Sequence, residues 1–171
     1  MNFDNFTIKA QQALQQALQR AASGGQQALE PVHLLAGVLA VGENVTHFLF
    51  SKLGVNEKMI TAAVDRQLAS LPRVSGGGDP YLSRESNEVL QKSIDYSKEL
   101  GDEYVSLEAI LLALLNVKST ASSILKDAGM TDKELRVAIN ELRQGQKVTS
   151  QSSEDTYQSL NKYSINLIEA A

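Results

Sequence analysis

Apolar residues recur at helical spacing along almost the whole chain, and alternating Val/Ile/Thr runs of the kind that make strands are missing. Ala10, Ala13, Leu14, Ala17, Leu18 and Ala21 form one stripe, with Gln11, Gln12, Gln15, Gln16 and Gln19 mostly on the other face, which predicts an amphipathic helix. Thr7 is placed to cap its start, and Ser23-Gly24-Gly25 to end it, because glycine tolerates the left-handed conformation that closes helices.

The pattern then repeats. At an offset of 76, Thr7 falls on Ser83, Ala13 on Val89, Leu14 on Leu90, Leu18 on Ile94, Gly25 on Gly101, Leu35 on Leu111 and Leu39 on Leu115. Further on the offset becomes 75, and GVNEKMITAAV from Gly54 lies on GMTDKELRVAI from Gly129, with Asn56 and Thr131 as matching caps; Thr131 and Glu134 have capping-box spacing. Each half reads as four helices: 8–22, 31–40, 44–52 and 57–70, then 84–100, 107–116, 119–127 and 132–143. The expected fold is all-α, eight helices in two pseudo-symmetric four-helix repeats.

Two segments break the pattern. The Gly- and Pro-rich stretch 72–82 joins repeat 1 (7–71) to repeat 2 (83–144). After a body ending at 145, residues 146–156 are polar and Ser-rich, with too little apolar content to repay ordering, and are expected to form a flexible linker. Residues 157–171, YQSLNKYSINLIEAA, regain helical spacing without a partner to pack on, as the start of a further region would.

Composition narrows the function. The 171 residues can bury a sizeable core; there is no Cys, hence no disulfide or thiolate metal site, which leans towards a reducing compartment such as the cytoplasm. A net charge of −4 with no Lys/Arg cluster argues against nucleic acid, where counterion release needs several basic groups on one face. The longest strongly apolar stretch, Ala109–Leu115, is far shorter than a bilayer span, and MNFDNFTIKAQQ lacks the form of a secretory signal.

Candidate chemistry is sparse. His33 and His47 are fourteen positions apart on different predicted helices; the first suits a hydrogen-bonded structural role behind Pro31, the second a surface one. No nucleophile elbow, zinc-binding helix motif or phosphate loop occurs in the sequence. Gly76–Gly78 follow no strand and run into Asp79, which repels phosphate, and Pro80, which lacks an N–H. Asp102 and Glu108 could form a carboxylate pair, although Glu108 in the first turn after Ser106 also suits helix-start electrostatics. The expectation is no catalytic residue, no metal and no cofactor, and a binding module whose inter-repeat seam offers a groove for peptide.

These residues resemble the N-terminal domain of the Clp family of AAA+ chaperones, over nearly the whole chain. FTIKAQQALQQA, LEPVHLLAGVL, GVNEKMITAAVDRQLASLP, the Gly-rich loop, SRESNEVLQKSIDYSKELGDEYVSLEAILLALL and ILKDAGMTDKELRVAINELRQG follow the family's order and spacing. The start MNFDNFT, the LEPVHLL helix and the end YQSLNKYSINLIEAA look most like its disaggregase branch.

The resemblance implies a mobile module that captures unfolded or aggregated polypeptide and delivers it to a hexameric ATPase ring carried by the same full-length chain, with ATP and magnesium as that parent's cofactors. It further implies cooperation with an Hsp70-type chaperone system, a cytoplasmic setting, and a monomeric fragment without ATPase activity. Carried onto this sequence, it places the substrate groove at Thr7, Ser83, Leu90, Asp102, Glu108 and Ala109. Relatives often have a larger residue at the position of Ala109, so the apolar contact could shift to Tyr81. The rival within the family is a module that docks folded adaptor proteins through charged contacts.

Overall fold

A computed structural model describes residues 3–74 and 78–154. Among them are eight α-helices: α1 (Ile8–Ser23), α2 (Pro31–Val41), α3 (Glu43–Leu53), α4 (Glu57–Ser70), α5 (Arg84–Glu99), α6 (Leu107–Asn116), α7 (Thr120–Asp127) and α8 (Asp132–Arg143). The all-α reading holds, and the helix limits fall within a residue or so of those expected. Caps explain the agreement: the side chains of Thr7, Asn56, Ser83, Ser106, Ser119 and Thr131 each accept a first-turn N–H. Part of the joining loop, residues 75–77, and all of 155–171 lie outside the described residues.

The strand content is minute and carries the topology. Ala28–Leu29 (β1) pairs in parallel with Tyr81–Leu82 (β2), and Phe6 forms an isolated parallel bridge with Val105. At the offset of 76, Phe6 corresponds to Leu82 and Leu29 to Val105, so the two pairings are one interaction made twice. Thr7 N donates to Val105 O at 2.9 Å, and Ser83 N to Leu29 O at 3.1 Å. The start of each repeat is thereby stitched to the turn before the second helix of the other. The third and fourth helices also meet across the repeats, α3 on α8 and α4 on α7, while α4 stays on α2 and α7 and α8 on α6.

Within each repeat the first two helices form the core pair, and small residues decide their spacing. Ala10, Ala13, Ala17 and Ala21 of α1 are buried. Gly37 of α2 sits so close to α1 that a Cβ there would lie 2.1 Å from the Ala13 carbonyl oxygen. Repeat 2 has Ala113 at this position and fills its α5–α6 contact with Val89, Leu90 and Ser93, all fully buried. Because small residues take α1 inward, Leu14 is only half-buried and Leu18 is exposed.

The expected linker behaves otherwise as far as it is described. Gln144 and Gly145 adopt left-handed backbone conformations that turn the chain back after α8. Residues 146–154 then lie along the body: Val148 and Glu154 are fully buried, Glu103 N donates to Val148 O at 2.8 Å, and Ile8 N donates to Gln151 O at 2.8 Å. The low apolar content that suggested a free linker is offset here by backbone hydrogen bonds and two buried anchors.

Candidate functional site

The residues expected to line one groove divide into two groups, and most are inaccessible. Thr7, Asp102, Glu108 and Ala109 meet where the first turns of α1 and α6 converge. Thr7, Glu108 and Ala109 are fully buried, and the Asp102 side chain has no exposed surface. Ser83 is 7 % exposed beside Leu29, whose carbonyl accepts its N–H, and Leu90 is core at 0 %. Tyr81, on β2, is 63 % exposed. A fully buried Leu90 or Ala109 offers no surface to a ligand, so the expected apolar contact through them is not present in this structure.

The buried group is an ionic cluster. Arg143, at the end of α8, lies against Asp102 (Nη2 to Oδ2, 2.9 Å), Glu108 (Nε to Oε2, 3.0 Å) and Ser106, whose Oγ accepts from Nη2 at 3.0 Å. The strap of residues 146–154 adds a third carboxylate. Glu154 Oε2 accepts from Thr7 Oγ1 at 2.6 Å and from Leu107 N at 3.1 Å. Thr7 thus caps Ala10 N while donating its hydroxyl to Glu154. Burial first, and the neighbouring Glu108 charge second, hold the Glu154 carboxyl up at about 7, against hydrogen bonds from Thr7 and Leu107 that favour its ionised form.

Sequence reasoning missed Arg143 and Glu154. A signal for the latter exists: Leu107 stands where repeat 1 has Pro31. Proline at the first helical position has no N–H to satisfy, whereas leucine leaves an orphan donor, and Glu154 satisfies it.

The two histidines behave as expected from their surroundings. His33 is fully buried; its Nδ1 accepts from Glu30 N at 2.9 Å, and Nε2 lies 3.3 Å from Gln26 Oε1. Burial, reinforced by the charge of Arg20, lowers its pKa to about 4, so it is neutral near pH 7. His47 is an exposed side chain 3.9 Å from Glu57. Among the described residues no cluster of His, Asp and Glu has metal-binding geometry, and no single helix is long and apolar enough to cross a membrane.

An accessible apolar groove of about 310 Å³ lies on the outer side of α1. Leu14 and Leu18 form one wall; Phe3, Leu29, Pro80 and Leu82 form the other, with Gln11 and Gln15 on the rim. Phe3 is fixed edge-to-face on Phe6, ring centroids 5.3 Å apart. The parallel β1–β2 pair puts Leu29 and Leu82 side by side in that second wall. Its polar lining side chains, Gln11 and Gln15, are neutral amides, and Gln11 Nε2 donates to Phe6 O at 3.0 Å.

Two interlocked four-helix repeats define a helical repeat domain, and similarity to known proteins gives its family. Residues 5–128 match the family model described as the Clp repeat (R) N-terminal domain, and the chain belongs to that family. Over its full length it is 70 % identical to chaperone protein ClpB of Bacteroides thetaiotaomicron and 52 % identical to that of Porphyromonas gingivalis. In both cases it spans 20 % of the relative's length. The fold matches the Hsp104 N-terminal domain from Candida albicans with a TM-score of 0.78 and 26 % identity, covering 88 % of this chain and 99 % of that one.

Proposed function

We propose that this domain captures unfolded or aggregated polypeptide in the groove beside α1 and passes it to an ATP-driven ring formed by the remainder of a ClpB-type chain. The carrying observation is the groove itself: an accessible apolar channel lined by Leu14, Leu18, Phe3 and Leu82, with neutral amides on its rim. Such a lining selects for apolar side chains and is indifferent to their order, which suits capture of many sequences. Covering about 300 Å² of apolar surface gives a gross gain of about 7 kcal/mol. Immobilising a flexible chain costs a comparable amount, so one domain binds weakly, and several copies tethered to one ring compensate by avidity.

In this reading the domain has no catalytic residue. ATP and magnesium belong to the ring, and an Hsp70-type system in the cytoplasm prepares the substrate. The pure chain incubated with ATP should show no turnover, and measurable hydrolysis would contradict the reading.

The direct test is fluorescence anisotropy with a labelled, permanently unfolded protein. Leu14→Ser with Leu18→Ser should weaken binding about tenfold, the equivalent of about 1.4 kcal/mol, with little response to salt. Unchanged affinity, or binding that disappears at high salt, would favour a charged surface that docks folded adaptors.

A further inference from the structure

We propose that residues 146–154 are a detachable strap: it docks across the first turns of α1 and α6 while the Glu154 carboxyl is neutral, and ionisation of that carboxyl releases it. The docked form is defined by specific contacts. The strap supplies acceptors to the first helical N–H of two helices, Gln151 O to Ile8 N and Glu154 Oε2 to Leu107 N. Val148 is buried, its N–H donates to Asp102 Oδ1 at 3.0 Å, and Gln151 Nε2 donates to Asp4 O at 3.0 Å. A strap resting on three buried residues, Val148, Ser153 and Glu154, and a few backbone bonds is the kind of unit that opens below the free energy of global unfolding.

The charge arrangement supplies the trigger. Glu154 lies on the first turn of α6, where the Glu108 charge acts on it, and the one buried cation in the cluster is Arg143 of α8, already engaged with Asp102, Glu108 and Ser106. Lys147 lies on the strap itself beside Gly101, and Asp4 approaches through its backbone carbonyl. Asp102 and Glu108 already outnumber the one guanidinium that pairs them, so an ionised Glu154 beside Glu108 adds a further uncompensated buried charge, which protonation of Glu154 removes. The helix N-termini favour an anion, yet Glu154 Oε1 is buried without a hydrogen-bond partner among the described residues. Full burial, the Glu108 charge and the unpartnered oxygen outweigh the two donors on Oε2 and favour the neutral form in this pocket.

A carboxyl whose pKa is raised on docking, from an ordinary 4.5 to about 7, favours docking fully below the free value. That contribution is lost as pH rises through the docked value, and docking is weakest above it. Release would free nine residues, about 30 Å of extended chain, lengthening the tether to whatever follows Glu154.

Amide hydrogen exchange, expressed as protection factors to remove the intrinsic pH dependence, reads this directly at Ile8, Glu103, Leu107 and Val148. Protection should fall about tenfold per pH unit between pH 5 and 7 and level off above, while amides within α5 and in α6 beyond its first turn keep theirs. Glu154→Gln, a neutral isostere, should make strap protection independent of pH. Constant protection in the natural chain, or the same fall in Glu154→Gln, would overturn the proposal. Val148→Asp should leave the strap unprotected at every pH while helical circular dichroism is retained; loss of the whole fold would show that the segment is an integral part of the body, not a strap.

Discussion

The start of the second helix in each repeat is the same backbone arrangement solved with opposite chemistry. In repeat 1, Gln26, Glu30, Val32 and Leu68 surround it, and a neutral His33 closes a reciprocal capping box with Glu30. At the equivalent places repeat 2 has Asp102, Ser106, Glu108 and Arg143, with Glu154 arriving from the strap. Pro31 needs no partner for an N–H, and Leu107 does. The fold therefore does not require the ionic cluster, since repeat 1 builds the same turn without one. Burying such a set is costly unless every member is paired, which makes repeat 2 the place where stability is exchanged for a response.

The largest expected effects separate these two solutions. Arg143→Ala should cost about 3–5 kcal/mol, because it strands Asp102 and Glu108 as buried, uncompensated charges. Installing the repeat 1 residues together, as Asp102→Gln, Glu108→Val and Arg143→Leu, should be neutral or stabilising by about 1–4 kcal/mol. Denaturant midpoints check both, and a triple variant as damaged as the single one would break the equivalence of the repeats.

Next in size is pH, where the repeats should respond with opposite sign. His33 has a folded pKa near 4, below its usual 6.5, so the folded state gains fully above 6.5 and loses that gain as pH falls towards 4. The loss is on the order of 3 kcal/mol. The strap does the reverse and tightens over nearly the same window. Global stability of His33→Gln should show less acid sensitivity than the natural chain between pH 6.5 and 4, with strap protection unaffected. A parallel change in both would mean that the two sites are not independent.

Helix spacing gives a smaller contrast. Gly37→Ala drives a Cβ into the Ala13 carbonyl and should destabilise by about 1–3 kcal/mol. The mirror change, Ala113→Gly, should cost only about 1 kcal/mol, the helix-propensity difference. Smallest of all, Leu18→Ser on the groove wall should alter stability by less than about 0.5 kcal/mol, since Leu18 is 41 % exposed. A larger loss would mean that Leu18 is core and not a free binding surface.

The eight helices were legible because periodicity, caps and an internal repeat all point to the same limits; Thr7 and Ser83 are caps by residue type alone. The exchange of elements between repeats was not. It rests on two-residue strands and a single bridge, too short for any pattern. Of the expected groove residues, Thr7, Asp102, Glu108 and Ala109 lie together in a buried cluster, which the sequence could not show because spacing carries no measure of burial. Arg143 sits among ordinary helix-end cations, and Glu154 in a stretch whose polarity conceals the Val148 and Glu154 anchors. Leu14 and Leu18 belong to the apolar stripe of α1, and only the small Ala10–Ala13–Ala17–Ala21 edge facing Gly37 turns them outward.

The capture of unfolded chains at the groove beside α1 is tested most directly by NMR, titrating a permanently unfolded protein into the domain at low and high salt. The expected result is salt-insensitive amide shifts concentrated at Gln11, Leu14, Gln15, Leu18 and Leu82, with those of Leu90 and Ala109 in the core unmoved. Shifts that vanish with salt, or that map to the face of α4 and α7, would contradict it.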